Sequence, residues 1–223
     1  MKHNFLQIYI NVNVENQTKV KKGVGENMGD YFSEERFIVT HLGDNNEYAG
    51  AVVPPVFLNS LHVFPSIDEY YATDPLDRQK YVYGRSGNPT VRLVEQKVAA
   101  LEHGEAALCF ASGMAAASGA VMACCKSGGH VICVRNAYGP LKQFLTVYCA
   151  QHLNLETTFV EGSRIEEFEQ NIRPNTQLII LESPSSIVFS LQDIRAVTAL
   201  AKANGIRTYI DNTFCSPLFQ KPL

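Results

Sequence analysis

The chain has no marked excess of either charge. Its 19 Lys and Arg are nearly matched by 22 Asp and Glu, a formal net charge of −3, so neither a nucleic acid nor a membrane surface is expected as a partner. Charged residues are few, 18% against 46% apolar, which argues against a disordered chain. Long apolar runs are missing too. Mean hydropathy is −0.07, and no stretch approaches the ~18 residues that read as a bilayer span. The opening MKHNFLQIYINVNVEN has polar residues throughout and lacks the apolar core and small-residue cleavage site of a signal peptide. The expected location is cytoplasmic. Six cysteines, at 109, 124, 125, 133, 149 and 215, make no C-x-x-C and no zinc spacing, and no metal site is expected. They read as buried free thiols in a reducing compartment, with Cys109 and Cys133 inside apolar runs that read as strands. Also absent are G-x-G-x-x-G after a strand, G-x-x-x-x-G-K-[ST], G-x-S-x-G and H-E-x-x-H. Dinucleotide binding, P-loop chemistry, a hydrolase elbow and zinc proteolysis therefore lose their sequence support.

What is present is organised. A length of 223 suits one large domain, or one domain plus an arm, at roughly 150 residues per domain. Residues 1–27 end in KKGVGEN and read as a disordered extension. Residues 28–88, with Pro54-Pro55, many aromatics and no long helical period, read as an extended arm that packs against a neighbouring subunit. From residue 89 a regular alternation begins. Val91, Val94, Val98 and Leu101 make a helical stripe, with Gly104 at the C′ position. Residues 106–110 read as a strand and 114–126 as a helix, small and apolar all round, that should be buried. Strands follow at 130–134, 155–160, 177–183 and 207–212. Between them lie helices at 139–152, at a capping box of Ser163 and Glu166 that turns Ile165, Phe168 and Ile172 inward, and at 193–204, capped by Asp193 and stopped by Gly205. This alternation predicts an α/β fold, a mainly parallel sheet flanked by helices. Ligands in such sheets bind beyond the carboxyl ends of the strands.

Each strand end carries a candidate with two readings. Ser112-Gly113-Met114 opens a helix and offers backbone N–H groups to an anion, or is a tight turn that needs a glycine. Tyr138 can stack on a planar ligand or belong to the core. Glu182 closes an apolar run and reads as a site residue or a turn cap. Asp211, before Asn212-Thr213, can hold a cationic ring nitrogen or cap a helix. Upstream, Arg85 in Tyr83-Gly84-Arg85 can fork onto a phosphate or lie on the surface.

Together the runs Tyr83-Gly84-Arg85-Ser86-Gly87-Asn88-Pro89-Thr90, Ser112-Gly113-Met114, Tyr138-Gly139, Glu182-Ser183-Pro184 and Asp211-Asn212-Thr213-Phe214 resemble the transsulfuration (Cys/Met metabolism) family of pyridoxal-phosphate enzymes, from about Phe37 to the last residue. The resemblance implies an aspartate-aminotransferase-like large domain over 89–223. It implies pyridoxal 5'-phosphate as cofactor, a small sulfur-containing amino acid as substrate, and a homodimer or homotetramer with sites shared between subunits. Gly113 and Met114, with Ser112, would bind the cofactor phosphate. Tyr83 and Arg85 would reach the phosphate of the neighbouring subunit's cofactor. Tyr138 would stack on the ring and Asp211 would hold its nitrogen, with Glu182, Ser186 and Thr213 completing the binding set. Tyr138, Asp211 and Tyr83 are the residues expected to act in catalysis.

Two departures matter. The family's Schiff-base lysine lies in a Ser-x-Thr-Lys run beyond the Asp-Asn-Thr segment, and the sequence stops at Lys221-Pro222-Leu223 before it. The expectation is a large domain truncated before that lysine, without the small domain and inactive alone. The second departure is Ser186, where most of the family has an Asn that contacts the ring hydroxyl. With Pro140 and Phe144 it points to the bacterial cystathionine β-lyase branch. Pro140 also stands where methionine γ-lyases carry a reactive cysteine.

Overall fold

This computed structural model describes residues 8–10, 28–44, 48–74, 77 and 80–223, with the backbone alone for 8–10 and 28–33. The expected extension over 1–27 thus lies outside the described residues apart from Ile8–Ile10. The chain divides into two units, one of Met1–Val20 with Phe110–Leu223 and one of Lys21–Cys109.

The larger unit is built on a sheet of β1 (Ile8–Ile10), β2 (His130–Val134), β3 (Glu156–Val160), β4 (Thr176–Glu182) and β5 (Arg207–Asp211). Their order is β1-β5-β4-β2-β3. Strands β2 to β5 run parallel, and β1 lies antiparallel on the β5 edge with Ile8 opposite Asp211. The predicted parallel α/β fold is the observed one. Residues Leu178, Ile179, Ile180 and Leu181 of β4 are at most 1% exposed, as an apolar run covered on both faces should be. Each contributes roughly 1.5–3 kcal/mol of burial.

In the smaller unit the helices are α1 (Met28–His41), α2 (Ile67–Ala72) and α3 (Pro89–Leu101). In the larger unit they are α4 (Gly113–Cys124), α5 (Gly139–Gln143), α6 (Ala150–Leu153), α7 (Ile165–Glu169), α8 (Ile194–Ala203) and α9 (Ser216–Phe219), with π-helical Phe144–Cys149 joining α5 to α6. Helix α4 is covered by the sheet along Ala116, Ala117, Ala120, Val121 and Cys124. Its Cys124 carbonyl accepts a bond from Arg207 at the start of β5, 3.1 Å. The C-terminus of α4 therefore lies at the amino ends of the strands, and its N-terminus faces their carboxyl ends.

Several expectations need correction. Residues 106–110 are extended but form no strand among the described residues. The run has strand propensity but no ladder partner, and Leu108, Cys109 and Phe110 are exposed. Cys109 is thus exposed rather than buried, and Cys215 is only half-buried. Helix α3 does not bury Val91 and Val94, which are exposed; it buries Glu95 instead. The reason is polar, because Glu95 Oε1 accepts the Cys109 N–H at 3.0 Å. The left-handed residue ending α3 is His103 (φ 55°) rather than Gly104. Gly104 N–H bonds Ala99 and His103 N–H bonds Ala100, the Schellman pattern one residue early. Residues 28–88 are not extended throughout, since Met28–His41 is helical and packs on α3. Finally, Glu167 rather than Glu166 closes the turn before α7, accepting Gly162 N–H and Ser163 Oγ–H.

Candidate active site

Four of the five candidate segments lie in the larger unit, at the carboxyl end of its sheet. Asp211 closes β5 and is 5% exposed. Its Oδ1 accepts the N–H (3.0 Å) and the hydroxyl of Thr213, an Asx-type turn that fixes the carboxyl just past the strand. Burial pushes its pKa above the ordinary value, while both Thr213 bonds pull the other way. Glu182, opposite it in register, closes β4 and is 3% exposed. Burial raises its pKa as well; bonds from Ser186 and the Tyr138 N–H oppose this, and the nearby Asp211 charge adds to it. Two neighbouring buried carboxyls suit a site that receives positive charge.

Tyr138 follows β2 and stands before α5. Its backbone N–H donates to Glu182 Oε2 at 2.6 Å, and the residue is 43% exposed, so it does not belong to the core. Ser186 donates to Glu182 Oε1 at 2.6 Å. Ser112 caps α4, its Oγ accepting the Ala115 N–H at 3.1 Å. Gly113 and Met114 open this helix, where N–H groups have no intrahelical partner and the macrodipole favours an anion.

Two residues not among the sequence candidates hold this end together. Asn212, fully buried, donates to the carbonyls of Ser216 and Gln220. Gln220 Nε2 returns bonds to Asn212 Oδ1 and to the Ser183 carbonyl, both 2.8 Å. The buried Asn at a strand end was the available signal; Gln220 had none.

Tyr83 and Arg85 belong to the smaller unit. Leu61 and Tyr83 form an isolated antiparallel bridge, and Gly84 N–H donates to Ser60 O at 2.8 Å. A Cβ on Gly84 would meet Asn59 O at 2.7 Å, so only glycine fits this approach. The Tyr83 carbonyl then accepts Ser86 and Gly87 N–H, and the Arg85 guanidinium lies 5.2 Å from the Tyr83 ring centroid. Both side chains are exposed. Asn88, the cap of α3, anchors the turn by donating to Phe57 O, while Thr90 accepts Phe57 N–H.

The donor set in the larger unit fits a phosphorylated, protonated heteroaromatic ring: a helix N-terminus for the phosphate, an exposed aromatic face, and a fixed buried carboxyl for the ring nitrogen. Among the described residues no helix is long and apolar enough to cross a membrane.

The family model for the Cys/Met metabolism PLP-dependent enzymes matches residues 37–223. An L-methionine gamma-lyase of Porphyromonas gingivalis is 37% identical over 184 residues, 82% of this chain and 46% of its own length. A cystathionine beta-lyase of Staphylococcus haemolyticus is 43% identical over 144 residues, 65% of this chain and 36% of its own. Of solved structures, metB from Corynebacterium glutamicum superposes with a TM-score of 0.76 at 33% identity, over 84% of this chain and 47% of that one. A Campylobacter jejuni protein described as an O-acetylhomoserine (thiol)-lyase, bearing a pyridoxyl-lysine phosphate, gives 0.78 at 25% identity, over 85% and 46%. The chain spans about half the length of the curated relatives it matches. With the five motifs in order and four of them at one end of a parallel sheet, the chain belongs to the Cys/Met metabolism family of pyridoxal-phosphate-dependent enzymes.

Proposed function

We propose that these 223 residues form the cofactor-holding front part of a carbon–sulfur lyase acting on a small sulfur-containing amino acid, most like a cystathionine β-lyase. The observation that carries this reading is the buried Asp211, held by Thr213 at the end of the sheet where Tyr138 and Glu182 also lie. When bound, pyridoxal phosphate supplies an electron sink for charge developing at the substrate's α-carbon. Asp211 holds a proton on the ring nitrogen. Tyr138 covers one ring face, and Ser112, Gly113 and Met114 bind the phosphate, with Glu182, Ser186 and Thr213 bordering the ring. Tyr83 and Arg85 serve the cofactor of a neighbouring subunit, which makes a homodimer or homotetramer the working unit. The cytoplasm is the proposed location, where free thiols stay reduced.

Ser186, Pro140 and Phe144 favour the β-lyase branch. Cystathionine γ-synthase, a γ-lyase and O-acetylhomoserine sulfhydrylase are the enzymatic alternatives within the family. A separate reading is an inactive remnant or split-gene fragment. The keto acid decides. With cofactor and cystathionine, the 223-residue chain alone should release none. Joined to a relative's lysine-bearing segment, it should release the three-carbon keto acid of β-elimination. The four-carbon acid would assign γ-chemistry, and no product from a folded fusion would favour the remnant.

A further inference from the structure

Tyr138 is 43% exposed. It precedes α5 with no side-chain cap bond, and its backbone (φ −46°, ψ 126°) belongs to neither helix nor strand. Its carbonyl accepts the Lys142 N–H at 3.2 Å within the following turn, and its N–H reaches across the sheet, donated over 2.6 Å to Glu182 Oε2, a partner 44 residues away. The same carboxylate takes the Ser186 hydroxyl on its other oxygen, also at 2.6 Å. Glu182 is the last residue of β4, its side chain is buried, and it lies in register beside Asp211. One buried side chain therefore ties three things together: the loop after β2, the loop after β4, and the strand pair carrying the acid.

We propose that Glu182 is a positioning residue, a two-oxygen clamp that sets the Tyr138 ring over the cofactor site by holding the Tyr138 N–H and Ser186 at once. This refines the proposed function and rests on it only for the identity of what the ring covers. Each oxygen is engaged by the chain, and the role assigned to Glu182 is to act through Tyr138. Ser186 correspondingly spends its hydroxyl proton on the clamp. The geometry needs reach rather than charge. A Gln at 182 keeps the acceptor for the Tyr138 N–H and turns its NH2 to the Ser186 oxygen, which can accept. An Asp keeps the charge but is one methylene too short to serve both loops. A residue acting by charge on the cofactor would rank the two variants in the opposite order.

The test uses the 223-residue chain, with pyridoxamine 5'-phosphate as a probe that needs no lysine. Amide hydrogen exchange at Tyr138 and probe affinity by calorimetry are read for Glu182→Gln, Glu182→Asp and Glu182→Ala, alone and with Tyr138→Ala. The Tyr138 amide should stay protected in wild type and Glu182→Gln, and exchange freely in Glu182→Asp and Glu182→Ala. Probe affinity should fall about tenfold in the last two, one lost charge-assisted bond's worth, and stay near wild type in Glu182→Gln. Over a Tyr138→Ala background, Glu182→Asp should cost no further affinity. Additive losses, or Glu182→Asp outperforming Glu182→Gln, would overturn the clamp. If Glu182→Ala does not fold, the Gln and Asp pair decides alone. If wild type binds no probe, the cofactor reading fails, and Tyr138 exchange still decides the clamp.

Discussion

Strands β2 and β4 bury polar side chains at both ends, in opposite ways. At the amino end His130 is fully buried, its Nδ1 at 2.8 Å from the Thr176 hydroxyl and its Nε2 at 2.9 Å from the Thr158 hydroxyl. Arg173 ties both hydroxyls, its N–H donating to Thr176 Oγ1 at 2.7 Å and its Nη2 to Thr158 Oγ1 at 3.2 Å. Burial disfavours the charged ring. At the carboxyl end Asp211 and Glu182 hold buried carboxyls whose donors come from loops rather than from the ladder. Those loops carry non-glycine residues in the left-handed region, Ile187 (φ 67°) and Phe189 (φ 53°), at a cost of order 1 kcal/mol each. Polar burial at the amino end is spent on the fold, and at the carboxyl end on keeping groups available. Stability and binding should therefore separate between the two ends.

The largest effect is expected at His130. His130→Ala leaves a cavity between three strands and strips partners from two buried hydroxyls. It should destabilise by about 2–4 kcal/mol, the range of large-to-small core changes, read as the urea midpoint. Asp211→Asn should do the reverse. The amide oxygen still accepts both Thr213 bonds and the buried charge is gone, so stability should be unchanged or slightly higher. Affinity for pyridoxamine 5'-phosphate should nevertheless fall by about 2–3 kcal/mol, the scale of a bond to a charged group. Loss of stability without loss of affinity would erase the contrast between the ends.

Titration sharpens the same contrast. Burial and the Arg173 charge hold His130 below its ordinary 6.5, against the pull of Glu156. Thr158 and Thr176 are the uncharged groups facing it. Below pH 6.5 the unfolded chain takes up a proton that the fold refuses, so this stability is present above 6.5 and lost as the pH falls through the folded value. Asp211 and Glu182 are raised above 3.8 and 4.5. Their contribution is present below those values and lost as the pH rises through the folded ones. Urea midpoints against pH should therefore lose the acid-side slope in a His130→Asn variant and the slope above pH 4 in Asp211→Asn. If each substitution flattened the other's window, the assignment of the two ends would be wrong.

Much of this was legible in the sequence, for a physical reason. Strands β2 to β5 are short runs centred on apolar, β-branched or aromatic residues between turn residues, a local property. Residues 106–110 show the limit, since the same composition without a neighbouring strand stays extended and exposed. The candidate positions stood out because they sit at strand ends in a recurring order. The Glu182 clamp was not, because it joins residues 44 apart and needs the β2–β4 pairing to exist first. Glu95 was missed likewise: the periodicity of α3 counts apolar residues, and the helix instead turns its carboxylate to a backbone N–H.

The smallest effect tests that lesson on one turn. The spacing of Ser163 and Glu166 reads as a capping box, yet Arg164 precedes α7 and makes no side-chain cap bond. The carboxylate closing the turn is Glu167, which accepts Gly162 N–H at 2.9 Å and Ser163 Oγ–H at 3.0 Å. These bonds hold its pKa below the ordinary value, the Gly162 N–H foremost. Gly162 has φ 79°, and a Cβ there would meet Val134 Cγ1 at 2.9 Å, so the turn is pinned against the end of β2. Glu167→Ala should cost about 0.5–1 kcal/mol, the usual worth of a cap, and Glu166→Ala close to nothing. Thermal midpoints of the two variants decide between them, because an equal or larger loss in Glu166→Ala would restore the spacing rule and remove Glu167 from the turn.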